Sequence, residues 1–246
     1  MFKGKTVLVT GASGGIGQCI AKRFAEEGAK VAIHYNSNKE SAENVKKELE
    51  AMGTTCEIFQ CDIRDNAQVK AMIDDVVSKL GGLDVLVNNA GVALDARIQK
   101  MPEEYFDNTI AINVKGTWNA TQHAVPIMTA QGSGAIVNIS SISGIIGNFG
   151  QSGYSSAKAA VIGMAKSVAR ETAAKGVRVN TVAPGFIQVG MSAQVPEKMR
   201  DKLVAEIPMG RTGKGEEIAD AVLFLSSDRA SYITGQVFQV NGGWDM

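Results

Sequence analysis

The sequence predicts a doubly wound α/β fold, with a parallel sheet of about seven strands and helices on both faces. Three observations carry that expectation. Short β-branched runs alternate with longer amphipathic stretches. The runs are almost continuously apolar, as in strands covered on both faces. The first run also passes directly into a glycine-rich turn that opens a helix.

Taken in order, residues 6–10 read as the first strand and residues 15–27 as a helix that stops at Gly28. Residues 30–35 form the second strand, and 39–52 a helix stopped by Gly53. Residues 56–61, 85–88, 135–140, 177–182 and 236–240 supply the remaining strands, most of them separated by helices of ten or more residues. No Pro/Ser linker, low-complexity tract or tandem repeat interrupts the series, so residues 1–246 read as one dinucleotide-binding domain. Residues 188–211 are expected to form a lid over a substrate.

Composition narrows the function classes. The 246 residues are 45% hydrophobic and 20% charged with net charge zero, which fits one large core and gives no electrostatic footprint for nucleic acid or an anionic membrane. No apolar run approaches the roughly 18 residues of a membrane span. The opening Met1-Phe2-Lys3-Gly4-Lys5 is expected to enter a strand at once, without a signal peptide. Cys19, Cys56 and Cys61 read as reduced thiols of a cytoplasmic protein. His34 and His123 stand apart from any carboxylate cluster, so no metal site is expected.

The turn Thr10-Gly11-Ala12-Ser13-Gly14-Gly15-Ile16-Gly17 has the Gly-x3-Gly-x-Gly spacing. Glycine lets backbone N–H groups approach an anion, and the helix end adds partial positive charge, so the turn suits a dinucleotide pyrophosphate. An acidic residue at the end of the second strand would hydrogen-bond the ribose 2′-hydroxyl of NAD and repel a 2′-phosphate. The chain has His34-Tyr35-Asn36-Ser37-Asn38-Lys39 there, which favours NADP, although NAD is also compatible. Gly14 stands where a phosphate-contacting Arg or Lys would strengthen that preference.

Tyr154 and Lys158 are spaced i and i+4 and share one helix face. A cation about 4 Å from the phenol contributes roughly 4 kcal/mol at an effective dielectric near 20, an upper bound of about three pKa units. Lys158 is therefore expected to lower the Tyr154 pKa from about 10 into a useful range for acid–base work. Alone, the spacing also fits an interfacial Tyr and a solvated Lys.

Thr10 to Gly17, Asn88-Asn89-Ala90-Gly91, Asn113, Ser141, Tyr154, Lys158 and Pro184-Gly185 occur in an order and spacing that resembles the short-chain dehydrogenases/reductases along essentially the whole chain. The resemblance implies the Rossmann-type fold, a homotetramer and reversible carbonyl reduction with a nicotinamide. It makes Tyr154 the acid/base and Lys158 the group that lowers its pKa and holds the nicotinamide ribose. It makes Ser141 the donor to the substrate oxygen, with Ser140 and Ser143 as neighbouring alternatives. Asn113 would hold a relay water, or else bridge backbone within its own helix. Gly11, Ser13, Gly15, Ile16 and Gly17 are the expected cofactor contacts in the turn. Asn36 and Ser37 follow at the second strand, and Asp62 and Ile63 after the third. Asp62 would meet adenine and also cap the next helix. Asn89 borders the nucleotide, Asn88 plays a structural part, and Pro184 to Ile187 present backbone to the carboxamide.

Gly91 to Met101 and the ending Val240-Asn241-Gly242-Gly243-Trp244 resemble 3-oxoacyl-acyl-carrier-protein reductases, which reduce a 3-oxoacyl thioester. Two departures bear on the carrier. Met128 to Gly134 carry no basic cluster, leaving Lys175 as the nearby cation for an acidic acyl carrier protein, and Val189 replaces the usual Thr after Ile187. Reductases of free ketones, secondary alcohols, sugars or steroid-like compounds are the alternative, with Phe149, Phe186, Met191 and Met209 either lining an apolar pocket or packing locally in their loops. A non-catalytic dinucleotide sensor or scaffold would need none of the four conserved-type groups Asn113, Ser141, Tyr154 and Lys158, and all four are present.

Overall fold

The computed structural model of the chain describes residues 1–190 and 195–246. Among them, seven strands form one sheet in the order β3-β2-β1-β4-β5-β6-β7, with every neighbouring pair parallel. The strands are β1 (Thr6–Val9), β2 (Lys30–Tyr35), β3 (Cys56–Gln60), β4 (Val85–Asn88), β5 (Gly134–Ile139), β6 (Val177–Pro184) and β7 (Val237–Val240). The helices are α1 (Gly15–Glu26), α2 (Lys39–Ala51), α3 (Asn66–Leu80), α4 (Glu103–Ile110), α5 (Gly116–Gln131), α6 (Ser143–Ile146), α7 (Ser152–Thr172), α8 (Glu197–Ala205) and α9 (Gly215–Ser226). No described helix is long and apolar enough to cross a membrane. The doubly wound expectation therefore holds. β6 runs two residues beyond its expected end, because Ala183 and Pro184 continue the register with β7.

The apolar runs divide residue by residue between the two faces. Val7 and Val9 of β1, with Val85 and Val87 of β4, pack with Ile20 and Phe24 of α1 and Ile218 and Val222 of α9. Leu8 and Leu86 point the other way, into a core shared with Ile73 of α3, Met128 of α5 and Ala165 of α7. Each fully buried Leu, Val or Ile contributes about 1.5–3 kcal/mol relative to an exposed one. The strand order reverses between β1 and β4, which opens a crevice beyond their carboxyl ends.

His34 ties that crevice together from below. Its ring is buried at 2% exposure. Nδ1 accepts the Gly11 N–H at 3.0 Å, so Nε2 carries the proton and donates to the Cys61 carbonyl at 3.0 Å. One imidazole thus links the ends of β1, β2 and β3. Burial holds its pKa below the ordinary 6.5. The unfolded chain therefore takes up the proton first as pH falls. Stability is complete above pH 6.5 and declines below it by up to about 1.4 kcal/mol per pH unit, until the folded ring also protonates. Urea denaturation between pH 7.5 and 5.5 should show this decline, and His34→Gln should flatten it; an unchanged slope in the variant would assign the effect to other groups.

Candidate active site

The glycine-rich turn is shaped by two side chains. Thr10 Oγ1 donates to the Val87 carbonyl and accepts the Asn89 and Ala90 N–H groups, each at 3.0 Å. Asn89 Nδ2 donates to the carbonyls of Thr10 at 2.9 Å and Gly11 at 3.1 Å. A Cβ at Gly17 would stand 2.4 Å from the Gly11 oxygen and 2.5 Å from Asn89 Nδ2, so only glycine lets α1 approach the turn this closely. α1 starts at Gly14 without a side-chain cap and has no acidic residue in its first turn. Its leading N–H groups and positive end are thus left to an anion, the arrangement a pyrophosphate requires. Gly11, Ser13, Gly15, Ile16 and Gly17 lie on this edge, whereas the Asn89 amide holds the turn itself.

Beyond β2, Asn36 and Ser37 are exposed at the rim. Asn38 is committed to α2, its Oδ1 accepting the Ser41 N–H at 3.0 Å. Lys39 Nζ lies 3.6 Å from Glu43. A Cβ on Gly14 would meet nothing within 4 Å, so a longer side chain has room there. Ser41, which sequence reasoning did not single out, donates from Oγ to the Ser13 carbonyl and fastens α2 to the turn. Asp62 and Ile63 follow β3, but Asp62 does not cap α3. That role belongs to Asp65, which accepts the Ala67 and Gln68 N–H groups. The Asp62 carboxylate instead grips Arg64, 2.6 Å from Nη2, and the guanidinium keeps it below its usual pKa. Ile63 is buried, and its carbonyl accepts from Asn119 Nδ2 at 2.9 Å.

Tyr154, Lys158 and Ser141 converge past the ends of β5 and β6. Lys158, on α7, is 5% exposed; its Nζ donates to the Ile139 carbonyl at 2.8 Å and lies 5.6 Å from the Tyr154 ring centre. Burial lowers its pKa to about 8. The phenol moves opposite to expectation: burial pushes Tyr154 up to about 12, the Ser141 hydroxyl offsets part of that, and the Asp95 carboxylate adds to it. The ammonium directs its hydrogen bond to the backbone of β5, and the loss of solvent at the phenolate outweighs its distant charge.

Geometry separates the three serines. Ser140 Oγ donates to the Lys158 carbonyl at 2.8 Å, and Ser143 Oγ to Gln151 Oε1 at 2.9 Å. Ser141 Oγ accepts the Ser143 N–H at 3.1 Å, which leaves its own proton for another acceptor. Asn113 is fully buried in one π-helical turn (Ala111–Lys115) between α4 and α5, a feature no periodicity signals. Its side chain brackets Val92, accepting its N–H at 3.0 Å and donating to its carbonyl at 2.8 Å, while its own carbonyl accepts from Thr117 Oγ1. A Cβ on Gly91 would lie 2.4 Å from Asn113 Oδ1 and 3.4 Å from Lys158 Nζ, so Asn113, Gly91 and Lys158 meet at one point. Asn88 is structural, its Nδ2 donating to Thr121 and Asn138.

The loop after β6 lies on the same edge. The Pro184 carbonyl accepts the Ile142 N–H, and Ile187 is buried and bridged to Gly213. Of the residues offered as lining for one apolar pocket, Phe149 is separated from Phe186 and Met209. Phe149, 80% exposed, borders a cavity of about 430 Å³ with Trp244. Phe186 and Met209 line a separate one of about 100 Å³. Met191 and part of the expected lid lie outside the described residues. Among the described residues no group of three or more His, Cys, Asp or Glu could hold a metal ion.

Residues 11–245 match the family model described as enoyl-(acyl carrier protein) reductase. The 3-oxoacyl-[acyl-carrier-protein] reductases FabG of Staphylococcus aureus and Thermotoga maritima are 48% and 46% identical to the chain over 242 residues, 98% of this chain and of each relative. An uncharacterized oxidoreductase of Mycobacterium bovis is 43% identical over 243 residues, 99% of this chain and 98% of its own. With the parallel sheet, the uncapped glycine turn and the Ser141–Tyr154–Lys158 cluster in place, these similarities establish that the chain belongs to the short-chain dehydrogenase/reductase family.

Proposed function

We propose that the protein is an NADP(H)-dependent reductase that reversibly transfers hydride to the 3-oxo group of an acyl thioester. The observation that carries the reading is the convergence of Tyr154, Ser141 and Lys158 on the sheet edge that also bears the uncapped start of α1. Full-length similarity to two 3-oxoacyl-[acyl-carrier-protein] reductases supports the thioester as substrate. Met128 to Gly134 offer no cation to an acidic carrier, so the proposal concerns the thioester rather than its carrier.

A nicotinamide bound along the edge supplies the hydride. Ser141, whose hydroxyl faces Tyr154, turns its proton to the substrate oxygen. Tyr154, kept protonated by burial, passes its phenolic proton to that oxygen as negative charge develops. The Lys158 ammonium stabilises the phenolate left behind and offers its remaining N–H groups to ribose hydroxyls. Asn113 acts through Val92 and Gly91, fixing the loop against Lys158.

Following NADPH oxidation with acetoacetyl thioesters, on coenzyme A and on carrier protein, beside simple ketones tests this directly. Thioester turnover is expected, and activity confined to the ketones would overturn the substrate assignment. Tyr154→Phe should lower turnover about 100- to 10,000-fold while NADPH affinity persists; retained turnover would remove Tyr154 from the chemistry.

The pH profile follows from Lys158. Its pKa is depressed to about 8, so its charge is present below that value and lost above it. Reductive kcat/KM should therefore fall as pH rises through about 8. A profile flat to pH 9.5 would exclude that dependence.

Asn36 and Ser37 support NADP because residues 34–39, at the end of β2, include no Asp or Glu to repel a 2′-phosphate. kcat/KM should be higher for NADPH than for NADH, and Asn36→Asp should reduce the NADPH value at least about tenfold by placing like charges together. Equal values for the two nucleotides in the parent chain would contradict the assignment.

A further inference from the structure

The cavity of about 430 Å³ adjoins the proposed reaction centre through Ser143, whose N–H is bonded to Ser141 Oγ. One wall carries Ile142, Ile146 and Phe149; the opposite wall is Glu206 with Trp244. The second wall is built rather than incidental. Met209 N donates to the Gly242 carbonyl at 3.1 Å, and a Cβ on Gly242 would come within 2.8 Å of Ile207 Cγ2. The C-terminal turn is therefore clasped to the segment after α8. That contact sets Trp244 Nε1 3.3 Å from Glu206 Oε2, to which it donates.

The rest of the lining is apolar or uncharged, so Glu206 fixes the sign of the cavity. Among the described residues no cation pairs with it. Arg211, five residues on, is bound to Glu217 at 2.6 Å. Arg97 stacks over the Phe149 ring, 5.2 Å from its centre, and does not line the cavity.

Resting on the reading of the reaction given above, we propose that Glu206 is a specificity-determining residue. Its carboxylate, held by Trp244, makes the cavity take uncharged acyl chains and reject chains that end in an anion. A substituent leaving the carbonyl at Ser141 enters between apolar walls. A terminal carboxylate would stand beside a like charge at the exposed Glu206, whereas a methyl end would meet only apolar side chains.

The test compares 3-oxohexanoyl and 3-oxoadipoyl thioesters of N-acetylcysteamine, which share a six-carbon chain and differ in the terminal carboxylate. The parent should favour the neutral substrate in kcat/KM by about tenfold or more. Glu206→Gln should erase most of that ratio, and Glu206→Lys should reverse it. A ratio that does not move in either variant overturns the proposal. Calorimetric affinities of the NADP-loaded protein for the non-reducible hexanoyl and adipoyl thioesters give the same ratio without turnover. Absence of turnover with both reducible substrates therefore counts against the reaction, and an unmoved binding ratio counts against Glu206.

Discussion

A buried ammonium governs this site. Removing an ion of that size from water costs several kcal/mol even after relaxation, and the surroundings of Lys158 are arranged to offset it. The Ile139 carbonyl accepts from Nζ, and Ser140 holds the lysine's own carbonyl, which fixes α7 against the end of β5. Neighbouring positions are small because other segments pack closely on the lysine. A Cβ on Gly144 would fall 2.8 Å from Lys158 Cβ, and one on Gly91 would crowd both Nζ and Asn113. Gly144 thus lets α6 meet the backbone of α7, while Gly91 leaves room for the ammonium itself.

The sheet prepares this edge by changing character along its strands. Asn88, Asn138 and Thr181 stand side by side in register across β4, β5 and β6, immediately past Leu86, Ile136 and Val179 on the same face. Asn88 spans to Asn138 at 2.8 Å and to Thr121 on α5 at 3.1 Å, stitching sheet to helix. Among the described residues, Asn88 Oδ1 and Thr181 Oγ1 are buried and no side chain or backbone group donates to or accepts from them. The row marks where hydrophobic packing ends on the α5 face, while Ile139 and Val182 carry the core further on the other face. The polar residues weaken the core at the level where the proposed chemistry needs precise loop ends.

The fold was legible because its signals are local and periodic. Val7-Leu8-Val9 announces a strand buried on both faces by composition alone, and the glycine turn follows it without a gap. Spacing to Tyr154 singles out Ser141 from Ser140 and Ser143, and the hydrogen bonds show that the hydroxyls of the other two are spent on Lys158 and Gln151. What escaped depends on contacts between distant segments. Nothing in His34-Tyr35-Asn36 reveals that the imidazole reaches both Gly11 and Cys61. Asp62 and Asp65 are the same residue type three positions apart, and the path of the loop decides which of them caps α3. The π-helical turn at Asn113 has no sequence period of its own. Phe149 and Phe186 were alike as loop aromatics, yet the fold assigns them to different cavities.

The sign of the Tyr154 shift is the instructive miss, because pairwise distance was the wrong variable. An i,i+4 spacing brings two side chains to one face, but the Coulomb gain holds only if the charge is aimed at the phenol oxygen. Here one desolvated pocket acts on both groups and disfavours charge on each, raising the acid to about 12 and lowering the ammonium to about 8. On the proposed reading that is a working arrangement for reduction. A phenol that is hard to ionise at rest keeps its proton until charge appears on a substrate oxygen close to it. Proton transfer then relieves the buried negative charge on the substrate and creates one beside Lys158, whose ammonium lies over the same ring. The pair is matched to the charge that develops during the reaction, and the resting pKa values are what that match costs.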